Sequence, residues 1–145
     1  MPIINRKAHF DYEILDTFEA GIALTGEEVK AVRDGQMTLT GSYVMEKKGG
    51  LVLFAATIHR YKHSGNKEYD PKRDRALLLH AREIAKIRTA MHTKGLTVVP
   101  LEGYFKGNLF KLKIGIGRGK KEYDKRETIK RRELDREAAK RIPRI

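Results

Sequence analysis

The hydrophobic positions of the chain fall mostly in short alternating runs rather than in long helical stripes. Residues 10–24 (FDYEILDTFEAGIAL) place Tyr12, Ile14, Phe18, Ile22 and Leu24 among acidic and small residues. That enrichment in aromatic and β-branched side chains predicts a strand, bulged near Glu19 to Gly21 because glycine is weak inside strands but suits bulges. Thr25 then predicts an N-cap, with Glu28 three residues later completing a capping box, and a short helix through Val29 and Val32 that stops at Gly35. Ser42–Glu46 and Leu51–Ile58 flank Lys47-Lys48-Gly49-Gly50, the pattern of a hairpin. His59 to Arg75 is polar and interrupted by Gly65 and Pro71, so it predicts a loop. Helical spacing returns at Ile84, Ile87 and Met91, closed at Gly95 after Lys94. Leu96–Phe105 and Leu109–Ile116 predict a second hairpin around Lys106-Gly107-Asn108.

Short strands with tight turns and a few helices predict a mainly β protein: a small antiparallel barrel with two or three helices packed on it. The OB-fold is the familiar barrel of this size that binds nucleic acid. The 145 residues fit one domain, and no stretch approaches the eighteen apolar residues of a membrane span.

Charge sharpens this picture. The formal net charge is +12, which points to a polyanionic partner, most simply nucleic acid. Residues 118–145 hold twelve basic and six acidic side chains, so a fifth of the chain carries half the net charge. This divides the chain into a barrel domain at 1–117 and a basic tail at 118–145, whose apolar residues form no stripe wide enough to dock on a core. Such a tail is expected to be disordered when free and to fold on a polyanion. With no Cys, there is no disulfide framework, no thiolate nucleophile and no Cys-ligated zinc. The N-terminal twenty residues are charged and lack a long apolar run, so a cytoplasmic protein is expected.

The candidate chemistry is binding rather than catalysis. The glycine-rich run from Gly115 to Lys121 is not a phosphate loop, because Gly119-Lys120 is followed by Lys121 where a Ser or Thr would hold magnesium. It reads instead as a hinge between barrel and tail. The five histidines have no metal-ligand spacing, and no nucleophile elbow is present, so no cofactor, no metal and no enzyme activity is expected. Two groupings mix cations with rings: Asn5, Arg6, Lys7, His9, Phe10 and Tyr12, and the loop from Arg60 to Lys67 around Tyr61 and His63. Cations neutralise phosphates while rings stack on unpaired bases.

Several ordered segments follow one another over essentially the whole chain. They are Asn5-Arg6-Lys7-Ala8, Phe18 to Gly26 leading into Glu28-Val29-Lys30, and Ser42-Tyr43-Val44. Further on come Leu77 to His80 with Glu83-Ile84, Lys94 to Leu101, Tyr104-Phe105-Lys106, and Gly119-Lys120-Lys121 before Asp124-Lys125-Arg126. Together they resemble the SsrA-binding protein (SmpB) family. The resemblance implies an OB-type barrel that binds the tRNA-like domain of transfer-messenger RNA. It implies delivery of that RNA, with elongation factor Tu and GTP, to stalled ribosomes for trans-translation. The tail would enter the empty messenger channel beside small-subunit RNA and fold there as a helix. By motif, Asn5, Glu19, Leu78 and Lys111, together with Arg6 and Lys7, fall at RNA-binding positions, and the four are expected on one exposed face or its rim. Gly119, Lys120, Lys121, Asp124, Lys125, Arg126, Lys130, Arg131 and Arg132 fall in the ribosome-directed tail. The rival reading from composition is a basic ribosomal protein or a general single-strand binder with an OB barrel.

Overall fold

Alternation of inward and outward side chains builds most of the molecule. The computed structural model describes residues 2–120. The elements in chain order are β1 (Ile3–Ile4), α1 (Arg6–Asp11), β2 (Tyr12–Ile22), α2 (Gly26–Arg33), β3 (Met37–Thr38) and β4 (Tyr43–Lys47). They continue with β5 (Gly50–Phe54), β6 (Thr57–Ile58), β7 (Arg75–Leu78), α3 (Ala81–Met91), β8 (Leu96–Lys106) and β9 (Leu109–Gly119). Seven strands form one antiparallel sheet in the order β1-β8-β9-β2-β7-β5-β4, while β3 and β6 pair separately. The sheet curls until β4 lies against β8, but the two are not hydrogen-bonded. Among the described residues the result is an OB-like barrel with an open seam and three helices.

The inner positions of the long strands make the core. Phe18, Ala20 and Ile22 of β2 meet Leu112, Ile114 and Ile116 of β9 and Leu51 and Leu53 of β5. Ala31 and Val32 of α2 and Ile87 and Ala90 of α3 pack onto the same cluster. Ala8, Val99 and Leu101 form a smaller cluster that seats α1. The α2 capping box is as expected: the Thr25 hydroxyl accepts from Glu28 N at 3.2 Å and the Glu28 carboxylate from Thr25 N at 2.9 Å. The first hairpin turns through Lys48 and Gly49, both at positive φ, which matches the twist of the flanking strands.

Several expectations are corrected. The β2 bulge lies between Ile14 and Asp16, not near Glu19 to Gly21; Gly21 stays in register with both neighbouring strands. The segment from Gly115 to Gly119 is no hinge: β9 runs through it, with Gly117 opposite both Ile14 and Thr97 and Gly119 opposite Tyr12. Gly115 and Gly117 are needed there for closeness, since Leu101, Ile14 and Tyr12 side chains cover them. β7 starts at Arg75, the last residue of the loop predicted over 59–75, and runs to Leu78, because Leu77 completes the core between β2 and β5. α3 stops at Met91 rather than running to Lys94. β1 and α1 were not expected at all.

Candidate nucleic-acid interface

In an antiparallel sheet, directly opposed residues share a face. Gly21 of β2 is opposite Leu78 of β7 on one side and Lys111 of β9 on the other, and Lys111 is opposite Tyr104 of β8. A second row runs Glu19, Lys113, Glu102, and a third pairs Leu109 with Lys106 at the hairpin end. These rows lie on the side of the sheet away from the core. Leu78 is 64% exposed and Leu109 63%, unusual openness for leucines, on the same face as Lys106, Lys111 and Lys113. Three of the four residues expected to share a face, Glu19, Leu78 and Lys111, are thus brought together from β2, β7 and β9.

Glu19 does not hang free on this surface. Its Oε2 accepts from the Tyr104 hydroxyl and its Oε1 from Lys106 Nζ at 3.3 Å, a link from β2 to β8 that crosses over β9. The Tyr104 hydrogen bond, with Lys106 and Lys111 nearby, holds the Glu19 carboxyl below its ordinary range. Partial loss of solvent and the Glu19 carboxylate push the Tyr104 phenol up to about 12. At neutral pH the pair is therefore a carboxylate and a proton donor. The surface offers cations for phosphates, a fixed anion for an amino or hydroxyl donor, and apolar side chains for a ribose or base face.

Asn5 is the exception. It is buried, caps α1 by accepting from Ala8 N at 3.2 Å, and donates to Pro100 O at 2.9 Å and Leu39 O at 3.3 Å. The shared-face expectation is corrected for this residue, because every polar group of its amide is engaged inside the protein. Arg6 and Lys7 follow it, exposed, on the first turn of α1. Gly119 ends β9, and Lys120 is tied to α1 through its N–H to Asp11 O at 2.8 Å and its Nζ to His9 O at 3.2 Å. Lys121, Asp124, Lys125, Arg126, Lys130, Arg131 and Arg132 lie outside the described residues.

The loop grouping around Tyr61 makes a different environment. Tyr61 is half-buried, with Lys30 Nζ 5.7 Å from its ring centre and the His63 ring at 5.2 Å. Beside it lies a cleft of about 530 Å³ whose charged lining includes Glu27, Glu28, Glu68 and Asp70 against Lys30 and Arg73. That balance disfavours a polyanion. Below the cleft, Arg75, fully buried, donates to Glu28 Oε2 from Nη2 at 2.7 Å and Nε at 2.9 Å. Arg73 also donates to Glu28, and the Tyr69 hydroxyl donates to its Oε2 at 3.0 Å. Burial works to raise the Glu28 carboxyl, but Arg73, the Thr25 N–H and Arg75 together hold it at about 2.

Sequence reasoning missed Tyr104 and Lys106 as members of the sheet face, and Arg75 as the anchor of Glu28. The first pair had a signal: period-two alternation along 102, 104, 106 and 109, 111, 113 puts these residues on one side of the hairpin. Arg75 had none, since its partner is 47 residues away. Among the described residues no cluster of His, Asp or Glu could hold a metal ion, and no helix is long and apolar enough to cross a membrane.

Comparison with known proteins agrees over nearly the full length. The family model described as SmpB protein matches residues 3–144. The SsrA-binding protein of Oleidesulfovibrio alaskensis is 49% identical over 140 residues, covering 97% of this chain and 90% of that protein. The SsrA-binding protein of Lactobacillus delbrueckii subsp. bulgaricus is 51% identical over 133 residues, covering 92% and 87%. A solved structure described as "tmRNA-SmpB: a journey to the center of the bacterial ribosome" superposes with a TM-score of 0.70 at 43% identity, covering 83% of this chain and 85% of that one.

Proposed function

The chain belongs to the SmpB family, and on that premise we propose that it binds the tRNA-like domain of transfer-messenger RNA and carries it to stalled ribosomes for trans-translation. It works as an RNA-binding factor and brings no reaction chemistry of its own. The observation that carries the reading is the convergence of Glu19, Leu78 and Lys111 on one outward sheet face, ringed by Lys106 and Lys113. Lys111 and Lys113 meet phosphates; Glu19, oriented by Tyr104, accepts from a base amino group or a ribose hydroxyl; Leu78 covers an apolar surface of the nucleotide. Arg6 and Lys7 add cationic contacts. Asn5 serves this face indirectly, by holding the start of α1 against β8.

The division of labour extends to the tail. The barrel, whose β9 runs to Gly119 rather than ending at 117, holds the RNA, while residues 120–145 engage small-subunit RNA, with Lys120, Lys121, Lys125, Arg126, Lys130, Arg131 and Arg132 on phosphates and Asp124 capping an incipient helix. Elongation factor Tu with GTP joins through the RNA. Work of this kind places the protein in the cytoplasm.

Competition binding at fixed salt tests the reading against a general single-strand binder. The chain is expected to prefer the tRNA-like domain to an unstructured RNA of equal length; equal affinity for both overturns the proposal. Truncation after Gly119 is expected to keep most affinity for the isolated domain and to abolish tagging of stalled chains. Changing Asp124, Lys125 and Arg126 together to Ala is expected to reproduce the loss of tagging.

A further inference from the structure

We infer that Tyr104 is a positioning residue for the RNA face: by holding the Glu19 carboxylate in a hydrogen bond, it keeps that carboxylate away from Lys113 and Lys111 and leaves both ammonium groups to phosphate. The inference deepens the functional reading above and rests on it.

Side chains directly opposed on one face of a sheet stand about 5 Å apart at Cβ, and opposite charges so placed attract. Lys113 has a carboxylate in that position on either side, Glu19 on β2 and Glu102 on β8. Lys111, one row along, lies on the diagonal from Glu19. Among the described residues, however, neither lysine forms an ion pair. Glu19 reaches past its nearest cation instead. Its carboxylate crosses β9 toward the second strand over, about 10 Å away by strand spacing. There the Tyr104 hydroxyl donates to Oε2 and Lys106 Nζ donates to Oε1 at 3.3 Å.

Of these two holds, Tyr104 is the firmer. Lys106 is a long side chain, 68% exposed, and a surface pair of this kind is weak because both partners lose side-chain freedom in making it. Tyr104 is half-buried and carries its hydroxyl on a rigid ring, with the phenol protonated at neutral pH. Its hydrogen bond is the main reason the Glu19 carboxyl lies below its ordinary range. A neutral donor fixes the anion without using up a cation. Without the hydroxyl, the carboxylate settles on the cation directly opposite, Lys113, and that ion pair must break before a phosphate can bind there. The residue that accepts from the RNA then competes with it.

The test uses the full chain with the tRNA-like domain of transfer-messenger RNA as the probe. Affinity across a range of salt, and thermal unfolding, are measured for the unmodified chain, Tyr104→Phe, Glu19→Gln and the double variant. Tyr104→Phe is expected to bind on the order of tenfold more weakly, with a salt slope flatter by about one unit. Glu19→Gln made in the unmodified chain is expected to weaken binding, since the charged acceptor is lost. Made in the Tyr104→Phe background it is expected to do the opposite: affinity recovers about threefold, the scale of an exposed ion pair, and the slope returns. The two variants that lack the hydroxyl should unfold at close to the same temperature, so that the recovery owes nothing to stability. If Glu19→Gln weakens binding in both backgrounds, or leaves the Tyr104→Phe chain unchanged, the inference is overturned and the functional reading stands. Full affinity in Tyr104→Phe overturns it too, as does a recovery that tracks a rise in unfolding temperature. An unmodified chain with no preference for the tRNA-like domain brings down the functional reading and the inference together.

Discussion

Two regions of this molecule use nearly the same chemical groups for opposite ends. On the outward sheet face a glutamate, Glu19, is bonded by a tyrosine, Tyr104, and a cation, Lys106. Beneath the loop of residues 59–74 another glutamate, Glu28, is bonded by a tyrosine, Tyr69, and two cations, Arg73 and Arg75. The difference is solvent. Glu28 and Arg75 are almost fully buried, so each is costly without the other, and together they fasten α2 and the loop to β7. Glu19 keeps 38% of its side-chain surface and Lys106 68%, so their mutual attraction is screened and both stay available to a partner. Burial turns one set into a clasp of the fold, and exposure leaves the other as a surface shaped for binding.

The strongest way to break this comparison is to remove the buried cation. Arg75→Met leaves the Glu28 carboxylate short of its main buried partner and is expected to destabilise the fold by about 3–5 kcal/mol in chemical denaturation. The salt slope of RNA binding should be unaltered wherever the variant remains folded. Next comes acid. Glu28 titrates at about 2 in the folded chain against an ordinary value of 4.5, so as pH falls the unfolded chain takes up the proton first. The stabilisation is complete above roughly pH 5 and is lost as pH falls toward 2, on the order of 3 kcal/mol in all. Denaturation followed across that range should lose this segment of pH dependence in Glu28→Gln, on a lower overall stability.

Substitutions on the exposed set are expected to behave in the reverse manner. Glu19→Ala should leave thermal unfolding unchanged and lower affinity for the tRNA-like domain by about tenfold or more, the worth of a good polar base contact. Asn5→Ala separates position from contact. It removes a buried cap and two further hydrogen bonds, so about 1–3 kcal/mol of stability is expected to go, while RNA affinity of the folded protein stays within a few-fold. The smallest effect belongs to Lys111→Ala: a few-fold loss of affinity at moderate salt, with the salt slope flatter by about one unit, read from binding at several salt concentrations.

Much of this arrangement is legible in the chain and some is not, for physical reasons. The two hairpins and the Thr25–Glu28 box depend on neighbours in sequence, and all three form, although the strand expected over Leu51–Ile58 ends at Phe54, where Ala55 turns at positive φ and Thr57–Ile58 pair with β3 instead. The six-residue helix α1 is illegible because it is too short to form on propensity; Asn5 and the burial of Ala8 hold it. Asn5, read as a surface amide beside Arg6 and Lys7, is instead drawn inward by carbonyls of Leu39 and Pro100, distant in sequence. Gly21 reads as a bulge because glycine in a strand usually marks one, but here it stays in register between Leu78 and Lys111. Local alternation places the β8–β9 half of the sheet face, but joining it to Glu19 and Leu78 needed the registers of β2 and β7, which no local pattern supplies.

Amide hydrogen exchange of the full chain, with and without the tRNA-like domain, tests the central claim most directly. Added RNA is expected to slow exchange along residues 17–21, 76–78, 102–106 and 109–113, and to leave residues 25–33 and 59–74 unchanged. Protection confined to α2 and the 59–74 loop, with the outward sheet face exchanging as in the free protein, would contradict the account.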